Sequence, residues 1–130
     1  MTVFLDANIP MYLAGAAHQN KARALQLLDE LLLARTRLVS DAEVFQEILH
    51  RYSAINRPQA LVDAFAILSG LVDEVFPIGL QEVAAAKALV LEGVGSRDAI
   101  HAVTMRGHGV TRILSFDRGF DRFADLERIA

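Results

Sequence analysis

The chain contains no cysteine among its 130 residues. Disulfides and thiolate-metal sites are therefore excluded. No stretch approaches the roughly 18 consecutive apolar residues that cross a bilayer. The opening MTVFLDANIP is apolar, but it lacks the basic start and long apolar run of a secretory signal, and Asp6 interrupts it. A soluble cytoplasmic protein with no membrane partner is the expectation. Lysine is scarce: of 13 basic residues only Lys21 and Lys87 are Lys, and the other 11 are Arg. The net charge of −3 lacks the basic footprint of a stable nucleic-acid binder. Four carboxylates gathered at one metal site would leave the rest of the chain at +1. Arg suits bidentate phosphate contacts better than Lys, although a bias in genomic base composition produces the same count.

What is present is ordinary for a globular protein. Hydrophobic residues make up 53% of the chain, enough to bury a core, and the length fits one domain over residues 1–130. No repeat, low-complexity run or linker interrupts it. Short β-like runs alternate with longer helical ones. Thr2–Leu5, Arg37–Val39, Val72–Pro77 and Arg112–Ser115 read as strands, with Leu126–Ile129 as a possible edge strand. Residues 18–34 have helical periodicity through Ala22, Leu25, Leu28 and Leu32. A second helix opens at Ser40 and runs to about Tyr52. Asn56-Arg57-Pro58 reads as the cap and first turn of a third, whose face carries Leu61, Phe65 and Leu68. Gly79–Leu91 is helical through Val83, Ala86 and Val90. A further helix from Arg97 to about Arg106 is capped by Ser96 and closed by Gly107 and Gly109. Asp117–Phe120 is a turn or short helix. This alternation predicts an α/β fold: a three-layer sandwich around a mostly parallel sheet of four to five strands. Ligands in such folds bind beyond the carboxyl ends of the strands.

That rule directs attention to particular acids. Asp6 follows the first strand, and Asn8 completes an Asp-x-Asn element. As an isolated residue, Asp6 reads equally as the cap of the next turn. Ser40-Asp41-Ala42-Glu43 fits a capping box that would account for Glu43. Glu47 has no such explanation; it is a site acid, a solvated surface Glu or the partner of Arg51 four residues on. Asp98 lies in a helix's first turn, where an acid also complements the macrodipole. His101, one turn later, reads as a packed or supporting residue rather than a ligand. Asp117 follows the fourth strand. Asp121 is a second acid nearby, and either of the two fits a turn. Their joint placement on one edge of an α/β sheet is what singles them out. Clustered carboxylates repel and persist when a divalent cation neutralises them. Oxygen ligands favour Mg²⁺ or Mn²⁺, and metal-assisted phosphodiester hydrolysis is the matching chemistry.

The runs Phe4-Leu5-Asp6-Ala7-Asn8, Ala42 to Leu49, Ser96 to Ala102 and Ile113 to Asp121 together resemble the PIN-domain family, and within it the VapC-type toxins of bacterial toxin–antitoxin pairs. The likeness runs the length of the chain, in order. It implies an α/β/α fold, Mg²⁺ or Mn²⁺ dependence and endonucleolytic RNA cleavage. By motif position it makes Asp6, Glu47, Asp98 and Asp117 the catalytic and metal-binding acids. Asn8 then supports the site, Asp121 is an auxiliary acid, and Ser115 stands where many members carry Thr. Arg97 or Arg118 could grip phosphate. A homodimer and a cognate antitoxin are implied by the family alone. A housekeeping nuclease of the same family and a non-catalytic binding module on the same fold are the competing readings. A haloacid-dehalogenase phosphatase would need a second Asp where this chain has Asn8.

Overall fold

The computed structural model describes residues 1–130. Five strands form one sheet: β1 (Thr2–Leu5), β2 (Arg37–Asp41), β3 (Glu74–Phe76), β4 (Arg112–Leu114) and β5 (Glu127–Ile129). Their order is β3-β2-β1-β4-β5, and every neighbouring pair is parallel. The sheet is thus wholly rather than mostly parallel. Its central strands are continuous apolar runs, with Val3, Phe4, Leu5, Val39, Ile113 and Leu114 fully buried. Both faces must therefore be covered, as parallel sheets require.

Six helices flank the sheet: α1 (Asn8–Ala14), α2 (Gln19–Leu33), α3 (Ala42–Ala54), α4 (Pro58–Leu71), α5 (Leu80–Leu91) and α6 (Ser96–Gly107). A single 3-10 turn, Arg118–Arg122, precedes β5. α1 packs on α2 and α4, α3 packs on α4, and α5 packs on α6. No helix is long and apolar enough to cross a membrane.

Several local expectations are corrected. The cap of α3 is Asp41, whose side chain accepts the Val44 N–H at 2.9 Å. Ser40 is instead the penultimate residue of β2, and its hydroxyl donates to the Leu5 carbonyl. No capping box involves Glu43, which faces Arg97 at 3.6 Å. α6 begins at Ser96 itself, after Gly95, with no side-chain cap. In α2 the buried stripe is Ala24, Leu27, Leu28 and Leu31, while Leu25 and Leu32 stand about half exposed at 48% and 49%. This helix is leucine-rich on more than one side, so periodicity alone marks two candidate stripes. Similarly, Phe65 on α4 and Val83 and Val90 on α5 are exposed, and the covered positions are Ala64, Leu68 and Ala86.

The chain order creates the site's location. The chain leaves the centre at β1 and moves outward to β2 and β3. It then crosses back to place β4 on the other side of β1. The carboxyl ends of β1 and β4 therefore flank the point where the order reverses, which in open α/β sheets is where a crevice forms. Asp6 is the first residue after β1, and its N–H still donates to the Leu114 carbonyl of β4 at 3.1 Å.

Candidate active site

The crevice is a cleft of about 400 Å³, lined among others by Asp6, Asn8, Tyr12, Glu47, Arg51, Asp98 and Asp117. Asp6 is 5% exposed and tightly held. One carboxylate oxygen accepts the Ala7 N–H at 2.8 Å. The other accepts the Ser115 hydroxyl at 2.6 Å and the Asn8 amide at 3.2 Å. The same Asn8 amide reaches Ser115 Oγ, and its carbonyl oxygen accepts the Phe116 N–H. Ser115 Oγ also accepts the Asp117 N–H at 3.0 Å. Asn8 and Ser115 thus lock the strand-end acid of β1 to the segment after β4.

Glu47 reaches the cleft because of how α3 packs. Val44, Ile48 and Tyr52, at i, i+4 and i+8, form its buried stripe. Glu47 and Arg51 occupy the adjacent stripe and so project over the cleft. Asp98 stands in the first turn of α6 and is half-buried. Asp117 follows β4 and accepts the Gly119 N–H at 2.8 Å. Gly119 has a clear steric role. A Cβ there would lie 3.0 Å from Asp117 Oδ1 and 3.3 Å from Asp98 Oδ2, so its absence lets these two carboxylates share one space. Asp121 is turned away to pair with Arg128 at 2.8 Å and does not line the cleft; that pairing holds its carboxyl below the usual range.

Crowding of like charges is visible in the proton affinities. Burial, then the neighbouring Asp117 and Asp6, pushes Asp98 up to about 6. Burial also raises Asp6, against the opposing pull of His101 and the Ser115 hydroxyl. Burial would lower His101, but its hydrogen bond with Asp41 and the nearby carboxylates of Glu47 and Asp6 outweigh that and lift it to about 10.

The donor set fits a hard divalent cation, with carboxylate oxygens from four separate segments. Ligand atoms of Asp6, Glu47 and His101 lie within 4.8 Å of one another. The acids expected from the sequence, Asp6, Glu47, Asp98 and Asp117, all line this one cleft, with Asn8 beside them. Local sequence patterns do not reveal Asp41, which sits inside a helix-start motif, or the cleft-lining Tyr12 and Tyr52. Asp41 and His101 are 60 positions apart, and no local spacing links them.

Comparison with known proteins agrees with this geometry. The PIN domain family model matches residues 3–126. A VapC ribonuclease of Mycobacterium bovis and ribonuclease VapC13 of Mycobacterium tuberculosis are each 47% identical to the chain, covering 98% of it and 99% of their own lengths. Ribonuclease VapC23 of Mycobacterium tuberculosis is 35% identical over 88% of the chain and 92% of its own length. Among solved structures, Mycobacterium tuberculosis VapC20, described as a sarcin–ricin loop cleaving toxin, superposes with a TM-score of 0.75. It is 20% identical and covers 95% of this chain and 98% of its own. VapBC2 from Rickettsia felis, bound to a promoter DNA fragment, gives 0.72 at 15% identity over 99% and 98% of the two chains. With a family model spanning nearly its whole length and close relatives among the VapC ribonucleases, the chain belongs to the PIN-domain family.

Proposed function

We propose that residues 1–130 form one nuclease domain that cleaves RNA phosphodiester bonds endonucleolytically, as the toxin of a toxin–antitoxin pair. The observation that carries this reading is the convergence of Asp6, Glu47, Asp98 and Asp117 on one cleft at the sheet's switch point, in a chain 47% identical to VapC ribonucleases. Asp6, Glu47, Asp98 and Asp117 would hold Mg²⁺ or Mn²⁺. Such an ion, when bound, lowers the pKa of water and neutralises charge on the phosphate undergoing displacement.

The remaining work belongs to the chain's own residues. Asn8 and Ser115 fix Asp6 in one rotamer, so its carboxylate needs no reorganisation when a cation arrives. Asp98, at about 6, is the acid that loses its proton as neutrality is approached. Without a bound cation it therefore carries its full charge only above that pH. Arg51 lines the cleft with no carboxylate within ion-pair distance and is placed to take a backbone phosphate. Arg97, half committed to Glu43, is the less available cation.

Two exposed apolar areas support protein partners. One is the groove formed by Leu80, Val83, Val90, Leu91 and Ile100 between α5 and α6. The other comprises Leu49 on α3 and Val62 and Phe65 on α4. We assign these two areas to the contacts of a homodimer and of an antitoxin. Solved neighbours include a toxin–antitoxin complex from Klebsiella pneumoniae, a likeness of fold at 15% identity. An RNA substrate places the action in the cytoplasm. Incubating RNA with Mn²⁺ and either wild type or Asp6→Asn tests the reading. Wild type should cleave and the variant should be at least about a hundredfold slower; equal activity sinks the proposal. Growth arrest on induced expression, relieved by the adjacent gene's product, separates a toxin from a housekeeping nuclease.

A further inference from the structure

His101 is a buried titratable side chain that the chemistry above leaves without a task. It is 1% exposed and does not line the cleft. Its Nδ1 lies 2.8 Å from Asp41 Oδ2, and Asp41 is itself fully buried. The other oxygen of Asp41 accepts the Val44 N–H at the start of α3. A single carboxylate therefore caps α3 and anchors α6. The opposite edge of the ring points at the acids. Nε2 is sealed from solvent, has no hydrogen-bond partner and sits 3.9 Å from Glu47 Oε2. The ring lies beside two tilted aromatic rings, Phe4 of β1 at 5.5 Å and Phe120 of the 3-10 turn at 6.5 Å between centroids. His101 thus touches or faces every segment that carries or adjoins a cleft acid: β1 before Asp6, α3 with Glu47, α6 with Asp98 and the turn after Asp117.

We propose that Asp41 and His101 are a buried positioning pair that sets the separation of Glu47 on α3 from Asp98 on α6 and backs Glu47 from the protein side, leaving its cleft side for the cation. This rests on the reading that these acids bind a divalent ion. The other polar tie between α3 and α6, Glu43 to Arg97 at 3.6 Å, is partly exposed and cannot hold the same precision. Partners that orient metal-binding carboxylates or imidazoles typically change metal affinity about 10–100-fold when lost.

The test is calorimetric Mn²⁺ affinity of the folded proteins, with circular dichroism and gel filtration confirming the fold. Asp41→Asn keeps an oxygen for the α3 cap but sets an amide against the His101 N–H. His101→Gln leaves the cap untouched, so it serves should Asp41→Asn fail to fold. Each variant should bind Mn²⁺ about 10–100-fold more weakly than wild type. The double variant should be no weaker than the weaker single one, because both remove the same link. Electron spin-echo spectra of the Mn²⁺-loaded wild type should show no directly coordinated ¹⁴N. Wild-type affinity in both variants, or losses that add, overturns the positioning pair. A ¹⁴N coupling abolished by His101→Gln overturns it in favour of His101 as a ligand. If wild type and Asp6→Asn alike bind no Mn²⁺, the metal-dependent function itself fails, and this inference fails with it.

Discussion

Replacing Asp98 by Asn should stabilise the protein in the absence of divalent ions while destroying its activity. Asp98 moves from an ordinary 3.8 to about 6 because burial and the neighbouring Asp117 and Asp6 oppose its charge. For a fully buried group that change would equal about 3 kcal/mol, at about 1.4 kcal/mol per pKa unit. Asp98 is only half-buried, so screening reduces the penalty to about 1 kcal/mol. The sign follows from linkage. The folded carboxyl has the higher pKa, so its ionisation costs stability. That cost is absent below about 4, grows through the window from about 4 to about 6 and is complete above it. In EDTA at pH 7.5, Asp98→Asn should therefore melt about 4 °C above wild type. At pH 4.5 the advantage should shrink by roughly two thirds. With Mn²⁺ at about a hundred times its Kd the order should reverse, since binding adds about 2.7 kcal/mol to wild type alone. Thermal unfolding followed by circular dichroism reads all three conditions. A variant no more stable than wild type in EDTA at pH 7.5, or one with an equal advantage at both pH values, would refute the charge-crowding argument.

Three other substitutions probe separate parts of the site. Gly119→Ala should weaken Mn²⁺ binding by about tenfold, because the new methyl intrudes at 3.0 Å on Asp117 and 3.3 Å on Asp98; calorimetry checks it. Ser115→Ala leaves Asp6 short of its 2.6 Å hydrogen bond and orphans the Asp117 N–H, so denaturant unfolding should show a loss of about 1–3 kcal/mol. Ser115→Thr keeps the hydroxyl and should retain cleavage. Arg51→Ala should weaken RNA binding similarly across sequences and lower the salt slope of log K by about 0.7–1, without weakening Mn²⁺ binding. An unchanged slope would remove Arg51 from the phosphate path.

Much of the architecture was legible in short segments. Thr2–Leu5 is an apolar run cut by an acid, and it forms the central strand with those same bounds. Pro58 opens α4, where its missing N–H costs nothing. Acids directly after strand-like runs pointed to the carboxyl edge of a parallel sheet, and Asp6 and Asp117 lie there. Local patterns failed where more than one partner was available. Ser40 and Asp41 both suit a helix start; β2 runs through both, and what separates them is that the Ser40 hydroxyl is committed to the Leu5 carbonyl while Asp41 is left to accept the Val44 N–H.

The sequence by itself therefore determined the alternation of elements, the parallel sheet and the set of candidate acids, because these depend on apolar runs and residue types at close spacing. Tertiary structure decided which acids meet. Asp6 and Asp117 adjoin only because the chain recrosses the sheet to lay β4 beside β1. Glu47 enters the cleft only because burial of Val44, Ile48 and Tyr52 fixes the rotation of α3. Asp121 is withdrawn by Arg128, and Asp41 finds His101 across the interior. Such contacts join residues whose separation along the chain leaves no periodicity to read, so only the packed core assigns them.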